Sequence, residues 1–311
     1  MAEKQRVAVI LGPTATGKSH CAIEVARRLG GEIISGDSML VYRGMDIGTA
    51  KPSPEELALV PHHLVDILPP GAGFSVVDFK LQAEKLIGEI NGRGRLPIIA
   101  GGTGLYIKAL LEGYEFSSVE ENTQLRRSLE QEAAEHGPLA LHDRLRRLDP
   151  RAAGAIHPNN VRRVVRALET ALGGDALSRS GAAEMPYDAV VFGLNMERDA
   201  LYERINKRVD RMLENGLEAE VRRLLEQGVS PECQSMQSIG YRQMAWYISG
   251  AMDYKTAVDK LKQATRNFAK RQLTWYRKMP YIQWLTLEKE PDYKAAADIM
   301  CETLVQKFKL L

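Results

Sequence analysis

The chain has 311 residues, 44% of them hydrophobic and 26% charged; these proportions fit a soluble globular protein of about two domains and exclude wholesale disorder. The formal net charge is only +2, and no apolar run approaches the roughly 20 residues that a membrane-spanning helix needs. The three cysteines, Cys21, Cys233 and Cys301, have neither metal-ligand spacing nor the even count of a disulfide framework, which points to a reduced, cytoplasmic protein.

The first residues, MAEKQRVAVILG, have a charged start, but the apolar stretch runs straight into a glycine-rich motif without a cleavage site and reads as a strand. Val7 to Leu11 is wholly apolar and β-branched, the pattern of a strand buried on both faces. Lys18 to Leu29 carries apolar residues at helical spacing and stops at Gly30-Gly31. Glu32 to Ser35 is a second strand ending at Gly36-Asp37. Leu96 to Ala100 is a third, running into Gly101-Gly102 before a helix from Thr103 to Leu111. Strands alternating with helices predict a parallel α/β sheet.

From Ser117 to Leu172 the sequence is helical, charged and strandless, with breaks at Gly137-Pro138, Asp149-Pro150 and His157-Pro158. Ala189 to Leu194 returns to the sheet. This predicts a core of residues 1–115 and 188–311 with a helical insertion of residues 116–187. Glu197 to Gln227 is one long helical stretch broken near Gly216, and further helices carry the chain to its end. Between Lys255 and Lys278 stand eight basic residues and one acid, Asp259, interleaved with Phe268, Trp275 and Tyr276. That mixture favours a nucleic-acid face over a merely solvated one.

Gly12-Pro13-Thr14-Ala15-Thr16-Gly17-Lys18-Ser19 matches G-x-x-x-x-G-K-[ST] between a strand and a helix, where a phosphate-binding loop must lie. Backbone N–H groups and the helix N-terminus receive phosphate oxygens, Lys18 adds a point charge, and the Ser19 hydroxyl can ligate Mg²⁺. The default ligand of such a loop is ATP or GTP. The fold expected is therefore α/β, a P-loop NTPase-like parallel sheet flanked by helices, with an inserted all-helical subdomain. The usual carboxylate at the end of a neighbouring strand is missing, because LPIIAGG finishes in glycines. The carboxylate that does follow a strand is Asp37. It could form a turn in its Gly-Asp-Ser context, or face the phosphate loop as a base. Arg204, Arg208 and Arg211 recur on one helix face, a row that is more often solvated than a site.

Seven segments together resemble the bacterial tRNA dimethylallyltransferases, also called tRNA isopentenyltransferases. They are GPTATGKS, Asp37 to Pro52, Pro61 to Ile67, Leu96 to Leu110, Arg162 to Glu169, Ile239 to Met244, and Ala269 to Arg277. The resemblance implies transfer of a dimethylallyl group from dimethylallyl diphosphate to N6 of the adenosine at position 37, just 3′ of the anticodon. The tRNAs concerned read codons beginning with U, and diphosphate is released. The loop from Gly12 to Ser19, with Arg208, would hold the isoprenoid diphosphate rather than a nucleotide. Asp37 would be the general base, with Lys18, Thr14 and Mg²⁺ on Ser19 stabilising the leaving group.

The same resemblance assigns tRNA contacts to Asp37, Ser38, Met39, Leu40 and Thr103 around a flipped-out base. It assigns further contacts to Arg126, Arg162, Arg163, Arg166, Tyr241, Arg242, Lys270, Arg271, Trp275 and Arg277. Leu40 departs from the family's glutamine. No Cys/His cluster like the zinc finger of eukaryotic members follows, so no zinc is expected. A monomer is expected, since no apolar stripe argues otherwise. Two rival readings are a small-molecule kinase of the P-loop class using Asp37 as base, and a nucleotide-switched RNA-binding protein.

Overall fold

The computed structural model describes residues 4–116, 122–173 and 184–310. In chain order the elements are β1 (Arg6–Leu11), α1 (Lys18–Leu29), β2 (Glu32–Ser35), α2 (Pro54–Leu59), β3 (His62–His63), α3 (Val76–Gly92), β4 (Pro97–Gly101) and α4 (Gly104–Leu111). There follow α5 (Thr123–Leu148), α6 (Pro150–Ala155), α7 (Val161–Leu172), β5 (Asp188–Met196), α8 (Arg198–Glu214) and α9 (Leu217–Glu226). The chain closes with α10 (Tyr241–Ile248), α11 (Tyr254–Tyr276), β6 (Ile282–Leu287) and α12 (Tyr293–Phe308). It divides into two units, one of Met1–Leu111 with Met185–Leu311, the other of Glu112–Glu184. Residues 117–121, where the expected helical run begins, and 174–183 lie outside the described residues.

The six strands form one sheet in the order β3-β2-β4-β1-β5-β6, and every pairing is parallel. β1 sits at the centre with Ala8 opposite both Ile98 and Val190. Its residues from Val7 to Leu11 are fully buried. Val7, Val9 and Leu11 enter one core and Ala8 and Ile10 the other, as the period-2 alternation of a strand requires. Helices cover both faces, so an apolar run without polar alternation is what a central parallel strand needs.

The unit of Glu112–Glu184 has its own core, built from Leu129, Leu141, Leu145, Val164, Val165 and Leu168 among others. Its long helix α5 is broken at Gly137, whose φ of +84° precedes Pro138. The expected break near Gly216 falls between α8 and α9.

The last part of the chain differs from the helix-only expectation, because β6 adds a sixth strand. Only Ile282 and Leu287 of its six residues are buried. Gln283 and Thr286 interrupt its apolar pattern because it is an edge strand with one partner. β3 is two residues long and leaves no periodicity to detect.

Candidate active site

Gly12 to Ser19 links β1 to α1 at the carboxyl end of the sheet, the edge where open α/β sheets take ligands. Ala15 (φ +68°) and Gly17 (φ +90°) turn the backbone into a concave nest ahead of the helix. Thr16 is buried and donates its hydroxyl to Pro13 O at 2.8 Å, stiffening the loop from within. Gly12 and Pro13 are buried too, whereas Ser19 is exposed at the start of α1.

Two adjoining strand ends bring further groups beside the loop. Gly36 N donates to Ala100 O at 2.8 Å, and Thr103 N donates to Gly36 O at 3.1 Å. Ser38 N then donates to Thr103 Oγ1 at 3.1 Å. Asp37 follows β2 and Thr103 follows β4, and β4 lies between β2 and β1. Asp37 does form a turn, since its Oδ1 accepts from Met39 N at 2.9 Å. That bond fixes the carboxylate's orientation and leaves Oδ2 for a ligand.

Lys18, Asp37 and Arg208 act on one another electrostatically. Burial and, secondarily, the Arg208 guanidinium lower the Lys18 ammonium to about 8, with the Asp37 carboxylate opposing both. Arg208 is likewise lowered by burial, with Asp37 opposing and Arg211 reinforcing the shift. Two cations within electrostatic reach of one carboxylate form a site whose field is short of negative charge, as a diphosphate site should be before its ligand arrives. Arg204 Nε donates to Ala15 O at 3.1 Å. The arginine row of α8 therefore faces the loop, and only Arg211 is largely exposed.

Two cavities flank this cluster. One of about 650 Å³ is lined by Ala15, Gly17, Lys51, Arg204, Arg208 and Arg211 among others. The other, of about 400 Å³, is lined by Thr14, Asp37, Ser38, Met39, Thr103 and Arg271, with an apolar wall of Val209, Ile239 and Leu261. Arg208 and Met212 line both.

The loop that carries Ile47 into the first cavity and Gly48 into the second is held by Glu220. This buried carboxylate accepts from the amides of Asp46, Ile47 and Gly48 at 2.9 to 3.2 Å, and from the Tyr241 hydroxyl. The family resemblance puts Tyr241 at the RNA. It is instead fully buried, its ring beneath Gly48 and its hydroxyl on Glu220, so its role is to support the loop.

Of the other residues expected at RNA, Arg162, Arg163, Lys270, Arg271, Trp275 and Arg277 are exposed. Arg126 and Arg166 both pair with the buried Glu169, which holds their guanidinium groups to the body of the helical unit. Arg242 lies over the Trp246 ring and lines the smaller cavity, where its buried Nε lacks a partner. The Leu40 carbonyl accepts from Asp66 N at 3.1 Å, a backbone role that any side chain permits.

Sequence reasoning takes Tyr276 for part of a nucleic-acid face, whereas it is fully buried with its hydroxyl on Gly102 O, and it misses Glu220 and Gln272. Gln272 stands in the open inside AKRQLTWYR, but a search of that segment for cations and aromatics passes over a neutral carboxamide.

Two family models match: IPP transferase over residues 40–279 and isopentenyl transferase over residues 5–65. The chain is 48% identical over 299 residues to the tRNA dimethylallyltransferase of Pelotomaculum thermopropionicum, covering 95% of each. It is 47% identical over 288 residues to that of Bacillus subtilis, covering 91% of each. The crystal structure of the tRNA isopentenylpyrophosphate transferase of Bacillus halodurans superposes with a TM-score of 0.75 at 45% identity, covering 98% of this chain and 97% of that one. A eukaryotic dimethylallyltransferase acting on tRNA superposes with a TM-score of 0.79 at 26% identity, covering 97% and 80%. These comparisons favour prenyl transfer over the small-molecule kinase, and the phosphate loop, the sheet around it and the near-complete coverage agree: the chain belongs to the tRNA dimethylallyltransferase family.

Proposed function

We propose that this chain transfers a dimethylallyl group from dimethylallyl diphosphate to N6 of the adenosine at position 37 of tRNAs reading codons that begin with U. The observation that carries the reading is the meeting of Lys18, Arg208 and Asp37, two cations and one carboxylate at the carboxyl end of a parallel sheet, with an apolar wall. Lysine, arginine and aspartate also serve nucleotide-hydrolysing sites, and it is the apolar wall beside them that favours a prenyl diphosphate. A prenyl diphosphate uses all three. Its diphosphate takes the cations and the loop amides, and its hydrocarbon takes Val209, Met212, Ile239 and Leu261.

The adenosine is flipped into the smaller cavity. Its N6 attacks C1 of the dimethylallyl group as the C1–O bond breaks, and the bonding electrons leave with the diphosphate. Negative charge grows on the leaving oxygens, so donors already fixed there lower the barrier. Those donors are the loop amides beyond Thr14, Lys18, Arg208 and the Thr14 hydroxyl. Asp37 accepts the hydrogen bond from N6–H, orients the weakly nucleophilic amine and takes its proton as the C–N bond forms.

Among the described residues no cluster of His, Cys, Asp or Glu could hold a metal by itself. One exposed serine hydroxyl beside a diphosphate is nevertheless the donor set with which Mg²⁺ is commonly held, most of its ligands being phosphate oxygens and water. Ser19 would supply that hydroxyl, and bound Mg²⁺ neutralises charge on the leaving group. The exposed Arg162, Arg163, Lys270, Arg271 and Arg277 would grip the tRNA backbone. No described helix is long and apolar enough to cross a membrane, and we read the protein as a cytoplasmic monomer.

The test is a transfer assay with purified protein, Mg²⁺, radiolabelled dimethylallyl diphosphate and an unmodified anticodon stem-loop bearing adenosines at positions 36–38. Label should enter the RNA and be lost when the middle adenosine is replaced by guanosine. ATP hydrolysis or nucleoside phosphorylation without incorporation would overturn the reading.

A further inference from the structure

We propose that Gln272 is a positioning residue of the diphosphate site, its carboxamide bridging the phosphate loop and the end of β4 so that the loop is held ready for its ligand. The activity arm of the test rests on the prenyl-transfer reading above. Gln272 lies on α11 with 5% of its surface exposed. Its Oε1 accepts from Thr14 N at 2.9 Å and its Nε2 donates to Gly102 O at 2.8 Å. Both partners are backbone groups at the edge of the site. A β-carbon on Gly102 would stand 2.5 Å from Nε2, so the carboxamide fits only because that position is glycine.

Tyr276, one helical turn further on, reinforces the link. Its buried hydroxyl donates to Gly102 O at 2.8 Å and lies 3.4 Å from Gly12 O. The same helix turns Phe268 and Arg271 toward the smaller cavity. One face of α11 is thus bonded to the phosphate loop while the adjoining face lines the cavity beside Asp37.

The chemistry follows from the loop's task. Its donors are effective only if they are aimed before the ligand arrives, because reorganising them would cancel the gain. Thr14 N, committed to Gln272, cannot also serve a phosphate. Gln272 therefore orients the Thr14 peptide, and with it the Thr14 side chain and the amides that follow. A carboxamide suits this position because one end must accept from an N–H while the other donates to a carbonyl.

Two variants in the full chain test this. Gln272→Met keeps the length and loses both hydrogen bonds. Gln272→Glu reproduces both while protonated, since its carbonyl oxygen accepts from Thr14 N and its O–H donates to Gly102 O. Once ionised, it faces Gly102 O and the diphosphate with a negative charge. The Met variant should raise KM for dimethylallyl diphosphate about tenfold or more, with stem-loop affinity changed less than about twofold. The Glu variant's rate relative to wild type should be highest at the acidic end of the range in which the enzyme works and fall as pH rises through the carboxyl's titration.

Equal losses toward both substrates, or an unchanged KM together with a pH-independent Glu-to-wild-type ratio, would overturn the proposal. If the Met variant fails to fold, the pH ratio of the Glu variant decides alone. Calorimetry of dimethylallyl diphosphate with the wild-type chain separates the two readings. No binding there sinks the functional reading, whereas binding that both variants match at every pH sinks only the role of Gln272.

Discussion

A β-carbon on Gly101 would stand 2.2 Å from the carbonyl carbon of Gly36. The ends of β4 and β2 therefore touch backbone to backbone, and this close approach lets Thr103 bond to Gly36 O and Ser38 N and so bring the Asp37 turn alongside the phosphate loop. The glycines that deny β4 a terminal carboxylate are what bring Asp37 into the site.

Gly101→Ala should accordingly be damaging, because backbone on both sides cannot yield as a flexible side chain could. Overpacking of this kind costs about 1–3 kcal/mol. Thermal unfolding should move to lower temperature and transfer activity should fall with it. Gly92→Ala, where a β-carbon meets nothing within 4 Å and the helix favours alanine, is the control and should leave activity unchanged and stability no lower.

Asp37→Ala should lower kcat by roughly two to four orders of magnitude, the usual loss for a general base. Binding of dimethylallyl diphosphate should persist, since the lost group repels the diphosphate. Single-turnover kinetics with a near-wild-type rate would remove Asp37 from that role.

Lys18 makes the site pH-sensitive in a defined direction. Its ordinary value is 10.5 and burial lowers it to about 8. Between these values the unfolded chain holds more protons than the folded one, so stability rises with pH across about 8 to 10.5. Urea midpoints should rise over that window in the wild type by more than in Lys18→Met. A bound diphosphate favours the charged ammonium, so binding above pH 8 should take up a proton and weaken as pH rises. Calorimetry in buffers of different ionisation enthalpy measures that uptake, which Lys18→Met should lack.

Glu220→Gln puts an amide donor where the amides of Asp46, Ile47 and Gly48 and the Tyr241 hydroxyl all donate. Charge-assisted hydrogen bonds of this kind each contribute about 1.5–3 kcal/mol. The variant should unfold at lower temperature and show a raised KM for the prenyl diphosphate. Tyr241→Phe, which removes only one donor, should show a smaller shift in each.

Arg271→Ala should weaken stem-loop binding and flatten its dependence on salt, by about 0.7 to 0.9 in the log–log slope if one phosphate contact is lost. Filter binding at several salt concentrations reads this. Equal weakening of dimethylallyl diphosphate binding would show that Arg271 belongs to the diphosphate site instead.

What the sequence determined by itself was local. The loop from Gly12 to Ser19, the buried strand from Val7 to Leu11, and the helix breaks at Gly137 and Gly216 all rest on preferences of neighbouring residues, so they are legible in the order of the amino acids alone. Tertiary structure decided what depends on distant partners. Thr14 and Gln272 are 258 residues apart in the chain and 2.9 Å apart in space. Asp46 and Glu220 are 174 apart and share a hydrogen bond. Tyr241 sits in a motif rich in groups suited to RNA, yet Gly48 closes over its ring and Glu220 takes its hydroxyl. A side chain's type states which bonds it can make. Only the fold decides which of them are within reach, because burial removes water as the competing partner and the packing of α9, α10 and α11 chooses the replacement.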